Sequence, residues 1–302
     1  MRACCLVNHY EYGQYVGEAV RSAVEQSRAL DEIVVVDDGS GPEALEAVRG
    51  ACSAHEGVRL VEKRNGGQLS CFESGLEHSS AEIVFFLDAD DAWEPEYVKT
   101  VLAVFEERPD VGFVACNERR VFSDGRSEVS ESPTRDLGYS LIRSLEPGAP
   151  FIGQPTSCLA IRRSVLDKIF PLELAEGWRT CADEALVYGS SLVGARKLFL
   201  GDPLVRYRVH GSNHFYGRPY RPEDRLLRGV EVLRLTEVLR RRQGLPSSLA
   251  HLAHHEFRTI ENPTRGEYRG YRRLVADAPL PARRKRRIRS ALFAWYRFRK
   301  RV

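Results

Sequence analysis

The chain has 302 residues, 43% of them hydrophobic and 29% charged, and no apolar run approaches the roughly 18 residues of a membrane span. Seven cysteines without C-x-x-C spacing, and an N-terminus without a signal-peptide layout, argue against a disulfide framework or structural zinc and predict a reduced, cytoplasmic protein. The net charge of +3 is uneven, because residues 283–302 hold ten Lys or Arg and no acid; the −7 of the main body argues against nucleic-acid binding.

The first half of the chain alternates between short apolar runs and amphipathic segments. The runs lack helical periodicity and predict buried strands at residues 3–8, 33–36, 58–61 and 83–88. The segments between them have the apolar spacing of helices, as over residues 15–26. This β-α-β-α-β-α-β succession predicts an α/β fold with a doubly wound, mostly parallel sheet flanked by helices.

The second half predicts fewer regular elements. Strands are expected at about residues 111–122, 156–161 and 204–210, and a helix begins within residues 178–186. The section 123–150 is rich in Ser, Pro, Gly and charge, which predicts a long loop with one short helix. Long loops inside compact domains are usually functional, so we expect this one to form a lid or to face an acceptor.

A helical extension is predicted beyond Pro222. It ends at Gly244, and its expected core face is formed by Leu226, Leu227, Val230 and Leu233. We therefore divide the chain into a first domain over residues 1–215 and a helical C-terminal region over residues 216–302.

Carboxylates end the fourth predicted strand. Side chains alternate along a strand, so Asp88 and Asp90 are expected on the same side, at the edge where open α/β sheets bind ligands. Two neighbouring negative charges are costly without a cation, and hard oxygen ligands suit Mg²⁺ or Mn²⁺, which in turn suit a pyrophosphate. The alternative is a solvated acidic turn before the helix that Pro95 opens.

A different nucleotide-binding pattern follows the second strand. A G-x-G-x-x-A motif begins at Gly39, and Glu62 lies near the distance expected for a ribose-binding acid in a dehydrogenase. Two observations count against this interpretation. Asp37 and Asp38 would repel a pyrophosphate resting on the turn, and the acidic end of the fourth strand would stay unexplained.

Five motifs follow one another in a specific order. They are I-V-V-V-D-D-G-S at 33–40, N-G-G-Q at 65–68, F-L-D-A-D-D-A-W-E-P at 86–95, A-D-E-A-L at 182–186 and V-R-Y-R-V-H-G-S-N at 205–213. Together with the helix over residues 15–26, they resemble family 2 glycosyltransferases of the GT-A fold. The resemblance covers roughly residues 3–215. It implies an inverting enzyme that moves a sugar from a nucleoside diphosphate sugar, most often a UDP-sugar, to a hydroxyl of a glycan or lipid-linked acceptor.

The resemblance also implies site residues and a cofactor. Asp183 would be the general base, with Glu184 as its rival, and a helix-capping role is the structural alternative for Asp183 as for Asp38. The cation would be Mn²⁺ or Mg²⁺, held by Asp88, Asp90 and His210. The nucleotide would contact Val7, His9, Asp38, Asn65, Gln68 and Asp88.

The chain departs from the family pattern in two places. Residues 7–10 read Val-Asn-His-Tyr where the family has a Pro-Thr-Tyr-Asn type of turn, and Ala182 stands where an acidic pair usually begins. Two other functions share parts of the pattern: a Mg²⁺-dependent nucleotidyltransferase acting on sugar phosphates, and an inactive relative that serves as an assembly partner. The reaction product separates these three functions.

Two further segments carry chemistry-bearing residues. The histidines at 251, 254 and 255 offer an i, i+4 pair without a third ligand, which is typical of a solvated helix face. The tail from Arg283 to Val302 has apolar residues at helical spacing among its cations, namely Ile288, Leu292, Trp295 and Phe298. Such a tail suits an anionic membrane surface at the cytoplasmic face, or packing on the acidic body of the protein.

Overall fold

A computed structural model describes residues 1–146, 148–211, 213, 216 and 221–299. The strands in this part of the chain are β1 (Ala3–His9), β2 (Glu32–Asp37), β3 (Val58–Glu62), β4 (Ile83–Asp88), β5 (Ala92–Trp93), β6 (Val111–Phe122), β7 (Ser127–Val129), β8 (Arg135–Gly138), β9 (Leu159–Arg162) and β10 (Arg196–Val209). The helices are α1 (Gly13–Val24), α2 (Pro42–Ser53), α3 (Gln68–Glu77), α4 (Tyr97–Glu107), α5 (Leu141–Ser144), α6 (Arg163–Ile169), α7 (Asp183–Leu192), α8 (Pro222–Arg242), α9 (Ala253–Phe257), α10 (Arg265–Asp277) and α11 (Ala282–Arg299).

The strands form one mixed sheet in the order β3-β2-β1-β4-β9-β6-β10-β5. Neighbours from β3 to β4 are parallel, and so are β6 and β10. Between these two parallel groups, β9 runs antiparallel to both β4 and β6. The predicted doubly wound, mostly parallel sheet is therefore confirmed, with an antiparallel strand at its centre.

Both faces of the sheet are covered by helices, as the apolar runs of the sequence require. Along β1, Cys4 and Leu6 belong to the core beneath α3 and α7, whereas Cys5 and Val7 belong to the core beneath α1 and α4. All four side chains are fully buried. Polar side chains are thus left for the strand ends, which is where a ligand site can form.

The section 123–150 is more regular than the sequence predicts. It contains β7, which pairs with β6, and β8, which pairs with β10, in addition to the expected short helix α5. These strands are short and mostly polar, so the sequence has neither the apolar–polar alternation nor the apolar run that would predict them. The first residues of the predicted strand 156–161 form a 3₁₀ turn instead, and β9 begins at Leu159.

The predicted core face of α8 is wrong. Leu226, Leu227 and Leu233 are 68%, 65% and 52% exposed, and the buried residues of the helix are Leu235 and Leu239. Apolar residues occur on more than one side of this helix, so the periodicity of the sequence alone cannot tell which side contacts the core.

The last three helices form a small core of their own with α5. In α11, Ile288 and Leu292 are buried and Trp295 is partly buried against α9 and α10, while Phe298 stays 67% exposed. The apolar side of the basic tail is thus used within the chain, which favours packing over membrane insertion for that side. The predicted domain boundary between residues 215 and 216 stays a prediction, because residue 215 lies outside the described part of the chain.

Within the described part of the chain, no helix combines the length and apolar composition that a membrane crossing needs.

Candidate active site

A cavity of about 770 Å³ opens at the carboxyl ends of β1, β2 and β4. Predicted site residues from both halves of the chain line it: His9, Asp38, Asn65, Gln68, Asp88, Asp90, Asp183 and Glu184. Val7 does not join them, because its position on β1 turns its side chain into the core, where it is fully buried. Asn8, one residue further, reaches the site instead.

Three carboxylates meet where β4 ends. One oxygen each of Asp88, Asp90 and Asp91 lies within 4.8 Å of the others, and this is the one such group of possible metal ligands among the described residues. Burial and the charge of Asp90 raise the pKa of Asp88 to about 7, and the same causes hold the pKa of Asp91 well above its ordinary value. A divalent cation would relieve this repulsion, so the donor set fits a hard metal ion.

The three carboxylates differ in what they bind. Asp88 Oδ1 accepts hydrogen bonds from Asn8 Nδ2 and Gln68 Nε2, each at a distance of 2.9 Å. Both oxygens of Asp91 accept as well, one from the Ser157 hydroxyl at 2.6 Å and one from the Arg208 amide at 2.9 Å. Asp91 therefore ties the end of β4 to the end of β10, whereas Asp88 and Asp90 line the cavity.

His210 extends the acidic group. Its Nε2 lies 3.0 Å from Asp90 Oδ2, and its ring packs edge-on against Tyr12 and at 4.8 Å from the ring of Tyr15. An imidazole beside two carboxylates is a donor set that Mn²⁺ accepts readily. Of the three predicted metal ligands, Asp88 and Asp90 belong to the carboxylate group, and His210 contacts Asp90 but is not itself a member of that group.

Asp38 is held by the N-G-G-Q turn rather than by a helix. Its carboxylate accepts from the amides of Gly66 and Gly67, at 2.8 and 2.7 Å, and from Lys63 Nζ at 2.6 Å. The alternative role of Asp38 as a cap is not seen, since Gly41 is the N-cap residue of α2. Asp38 therefore orders the turn while also lining the cavity.

The dehydrogenase interpretation fails at the same place. Asp37 accepts from the amides of Gly39 and Ser40, so the groups that would hold a pyrophosphate already bind a carboxylate. Glu62 makes a two-pronged ion pair with Arg49 on the surface. The neighbouring His9 is buried with Nδ1 at 2.8 Å from Asp37, so the site residue predicted there is fixed by this carboxylate.

Gln68 joins two parts of the site. Its Nε2 donates to Asp88 and to the Thr156 hydroxyl, and its Oε1 accepts from the Ala182 amide at 2.8 Å. The backbone N–H of Gln68 donates to the Arg179 carbonyl at 2.9 Å. Gly67 permits this close approach, because a Cβ there would clash with the backbone of Arg179 and its φ of 86° favours glycine.

The predicted general base lines the same cavity as these carboxylates and lies at the start of α7. Asp183 is the first residue of the helix, and Ala182 is the N-cap residue, so Asp183 is not the cap. Burial raises the pKa of Asp183 to about 6 and that of Glu184 to about 7, against the opposing effect of Arg228. Both pKa values suit a group that gives and takes a proton near neutral pH.

Several residues of the site were not predicted from the sequence. Asn8 could have been, since it alternates with His9 at a strand end, and Asp91 belongs to the same acidic run as Asp90. Others give no sequence signal, because tertiary packing alone brings them to the site: Thr156, Ser157, Arg179 and Arg228. The histidines at 251, 254 and 255 form no group of three metal ligands in the described part of the chain.

Comparisons with known proteins agree with this geometry. Residues 4–170 match the family model of glycosyl transferase family 2. The chain belongs to this family. It is 32% identical over 221 residues to an uncharacterized glycosyltransferase of Nostoc sp., which covers 71% of this chain and 66% of that protein. It is also 26% identical to the putative glycosyltransferase EpsH of Bacillus subtilis, over 69% of this chain and 61% of that protein.

Shorter matches and solved structures extend the comparison. A match to Pasteurella multocida chondroitin synthase is 28% identical and spans 38% of this chain but 12% of that protein. S. aureus TarS 1–349 in complex with UDP-GlcNAc has a TM-score of 0.57 at 18% identity and covers 98% of this chain and 89% of its own. Mannosyltransferase PcManGT from Pyrobaculum calidifontis, with GDP-Man and Mn²⁺, has a TM-score of 0.53 at 18% identity over 99% and 87%. This family 2 glycosyltransferase therefore has the GT-A fold.

Proposed function

We propose that this family 2 glycosyltransferase transfers a sugar, with inversion, from a nucleoside diphosphate sugar to a hydroxyl group of a glycan or lipid-linked acceptor. One observation supports this most directly: Asp183 and the Asp88–Asp90 pair face the same 770 Å³ cavity from two different halves of the chain. A cation site for the leaving diphosphate and a base for the acceptor hydroxyl in one cavity are what a single displacement at a sugar carbon needs.

In this reaction the acceptor oxygen attacks the anomeric carbon while Asp183 takes the proton of the acceptor hydroxyl. The new glycosidic bond forms as the bond between that carbon and the diphosphate oxygen breaks, and the nucleoside diphosphate leaves. Asp88, Asp90 and His210 would hold Mn²⁺ or Mg²⁺, which supplies positive charge to the departing diphosphate. Asp38, Asn65 and His9 would contact the nucleotide.

The donor is expected to be a UDP-sugar. The family resemblance of the motifs supports UDP, and so does the UDP-GlcNAc complex of TarS, while the GDP-Man complex of PcManGT makes GDP the matched comparison. The names of relatives such as chondroitin synthase support a role in polysaccharide synthesis. An undecaprenyl-phosphate sugar transferase of Pseudomonas savastanoi, 36% identical over 116 residues, supports a lipid-linked acceptor.

A second part of the proposal concerns location. We propose a cytoplasmic enzyme that binds the anionic inner face of a membrane through the cations of Arg283 to Val302. The basic residues of α11 support it. Arg283, Arg284 and Arg286 are exposed, and α11 contains no acidic residue that would offset their charge. Each basic residue near such a surface contributes about 1 kcal/mol.

The reaction product tests the transfer. The wild-type chain is incubated with Mn²⁺, a panel of UDP- and GDP-sugars and glycan or lipid-linked hydroxyl acceptors, and in parallel with UTP or GTP and sugar 1-phosphates, and the released product is identified. A nucleoside diphosphate supports the proposal, pyrophosphate would indicate a nucleotidyltransferase, and no release with any donor would leave an inactive assembly partner. A preferred donor should also raise the melting temperature by mass action.

Two matched variants identify the base. Asp183→Asn and Glu184→Gln each remove one charge at nearly constant shape. Loss of a positioned base costs about 10²–10⁴-fold in rate, so Asp183→Asn should reduce turnover to near background while donor and Mn²⁺ binding stay normal. If Glu184→Gln loses turnover and Asp183→Asn keeps more than about a tenth of it, Glu184 is the base. If both keep their activity, the inverting mechanism is wrong.

A further inference from the structure

A loop of unusual backbone conformation carries the proposed base. This base loop, residues 177–184, runs from a 3₁₀ turn to the first residues of α7. Cys181 within it has a φ of 61°, in the left-handed region that L-residues with a Cβ rarely adopt. Such a conformation costs on the order of 1–3 kcal/mol and persists only where neighbouring contacts impose it.

One side of the base loop is held by the donor half of the site. Gln68 binds the Ala182 amide and the Arg179 carbonyl, as described above. These two bonds fix the middle of the loop against the N-G-G-Q turn. They leave the opposite side of the loop to be held by another element.

That element is α8, in the helical C-terminal region. The guanidinium of Arg228 donates from Nη2 to the Thr180 carbonyl at 3.0 Å and from Nη1 to the Gly177 carbonyl at 3.4 Å. Its Nε lies 3.7 Å from Glu184 Oε2, and its Cζ lies 4.8 Å from the centre of the Trp178 ring. The arginine side chain is 19% exposed, so these contacts are largely shielded from water.

A planar guanidinium suits this place for a physical reason. It can donate along several directions in one plane while its face stacks on an aromatic ring, which a lysine ammonium cannot do. Trp178 is fully buried and anchors the stack. Four residues of the base loop therefore depend on one side chain from a different region of the chain.

We propose that Arg228 is a positioning residue for the transfer reaction: it holds the base loop in the conformation that aims Asp183, or its rival Glu184, at the acceptor hydroxyl. This inference rests on the proposed function, because it assigns Arg228 to the base of that reaction. It also makes α8 a necessary part of the catalytic apparatus, although the family match ends at residue 170.

The positive charge of Arg228 adds an electrostatic effect. It lowers the pKa of both carboxylates against the effect of burial. Other ionisable groups also sense these two carboxylates, from β4, β10, α7 and the base loop itself, and they stay in place when Arg228 is changed: Asp88, Tyr207, Tyr188 and Cys181. The acidic limb of the pH–rate profile is therefore a readout for Arg228 that a purely structural role would not change.

The test compares Arg228→Ala and Arg228→Lys with Arg241→Ala. Arg241 lies on the same helix, is 76% exposed and pairs with Glu237 on the surface, so its loss should be nearly neutral. Turnover number, donor KM, nucleotide dissociation constant, melting temperature and pH–rate profile are measured for each variant with the donor that the wild type prefers.

We expect Arg228→Ala to lower kcat by about 10- to 100-fold, as misplacement of a reacting group does, with little change in nucleotide affinity. Its acidic limb should move to higher pH, because the carboxylates lose a positive neighbour. Arg228→Lys should keep the wild-type acidic limb and still lose kcat, since it keeps the charge but not the planar contacts. Arg241→Ala should match the wild type throughout.

Two results would overturn the inference. The first is a kcat within twofold of the wild type in both Arg228 variants. The second concerns Arg228→Ala: its kcat equals that of the wild type at temperatures well below its melting temperature, and the acidic limb of its pH–rate profile is unchanged. The loss of activity would then come from unfolding alone. Should Arg228→Ala fail to fold, Arg228→Lys decides by kcat alone: a kcat within twofold of the wild type overturns the inference, and a larger loss at normal nucleotide affinity supports it. If the wild type itself releases no nucleoside diphosphate, the proposed function fails instead, and the two failures are distinguishable.

Discussion

The side-chain Nε2 of Gln68 donates a hydrogen bond to Oδ1 of Asp88 at 2.9 Å, and Oε1 of the same side chain accepts one from the backbone N–H of Ala182. One side chain therefore contacts both a proposed cation ligand and the residue before the proposed base. The two functional parts of the cavity are coupled through Gln68, and this can be tested by altering its two ends separately.

We predict that Gln68→Glu and Gln68→Leu have different effects. The glutamate keeps an oxygen for the Ala182 amide but places a negative charge against Asp88, so donor affinity should fall about tenfold while kcat changes less. The leucine removes all of these bonds at similar volume, so both donor affinity and kcat should fall. Steady-state kinetics and nucleotide titrations measure the two effects. Equal kinetic constants in the two variants would show that Gln68 does not couple the two parts.

The raised pKa of Asp183 has a consequence for pH dependence. The base must be ionised to accept a proton, so kcat/KM should fall as the pH drops through about 6 to 7, the pKa range of Asp183 and Glu184. A pH–rate profile with saturating Mn²⁺ measures this limb. A flat profile between pH 5 and 8, at about constant nucleotide affinity, would contradict the assignment of either residue as base.

The same raised pKa predicts an effect on stability. A buried carboxyl with a pKa above its unfolded value binds protons more tightly in the folded state, so it lowers stability as the pH rises through that range. Asp183→Asn removes the ionisable group, and we expect its melting temperature to exceed that of the wild type at pH 8. The gain should vanish as the pH falls towards 4, where the wild-type carboxyl is protonated in the folded protein. Calorimetry at the two pH values would refute this if the gain were equal in both.

The acidic group should divide into a binding and a structural part. Asp90→Asn should weaken Mn²⁺-dependent donor binding without lowering the melting temperature, because Asp90 lines the cavity. Asp91→Ala should instead lower the free energy of unfolding, since it leaves the Ser157 hydroxyl and the Arg208 amide without their acceptor, at about 1–3 kcal/mol for each buried group. Chemical denaturation and donor titration with and without Mn²⁺ separate the two. An Asp90→Asn variant with unchanged metal dependence would remove Asp90 from the cation site.

The tail predicts a charge effect that leaves the fold intact. Changing the exposed Arg283, Arg284 and Arg286 to glutamine should lower partition onto anionic vesicles by about 100-fold, at about 1 kcal/mol for each charge. The melting temperature should stay the same, because the buried residues Ile288 and Leu292 are kept. Vesicle sedimentation measures the partition.

The matched control for the tail carries the same loss of charge elsewhere. It replaces the exposed Arg21, Arg28 and Lys168, which lie on the catalytic part of the chain, with glutamine. Vesicle binding should be unchanged in this control. If both triple variants bind like the wild type, or if the control loses as much as the tail variant, the tail does not direct membrane binding.

The sequence predicts the first half of the fold and the carboxylates at the end of β4 well, because their signals are local. An apolar run that ends in carboxylates predicts that Asp88 and Asp90 lie at a strand end. The alternation of side chains along a strand predicts that both lie on the same side. The roles of Arg228 and Gln68 are not predictable in this way, since they depend on contacts between residues far apart in the chain. The core face of α8 is not predictable for the same reason. Leu235 and Leu239 are buried because α7 packs against their side of α8.

The short strand β5 has a consequence for how the site forms during synthesis. Three residues separate Asp88, in the middle of the sheet, from Ala92 of the edge strand β5, which pairs with Arg206 of β10. The turn that bears the carboxylates is thus held at its C-terminal end by pairing with β10, a strand that is synthesised more than a hundred residues later. A ribosome-bound chain that ends near residue 170 would contain every strand of the donor half, yet it would lack the fastening of this turn and His210. Nucleotide affinity should therefore arise late in translation, as a single step when β10 is added.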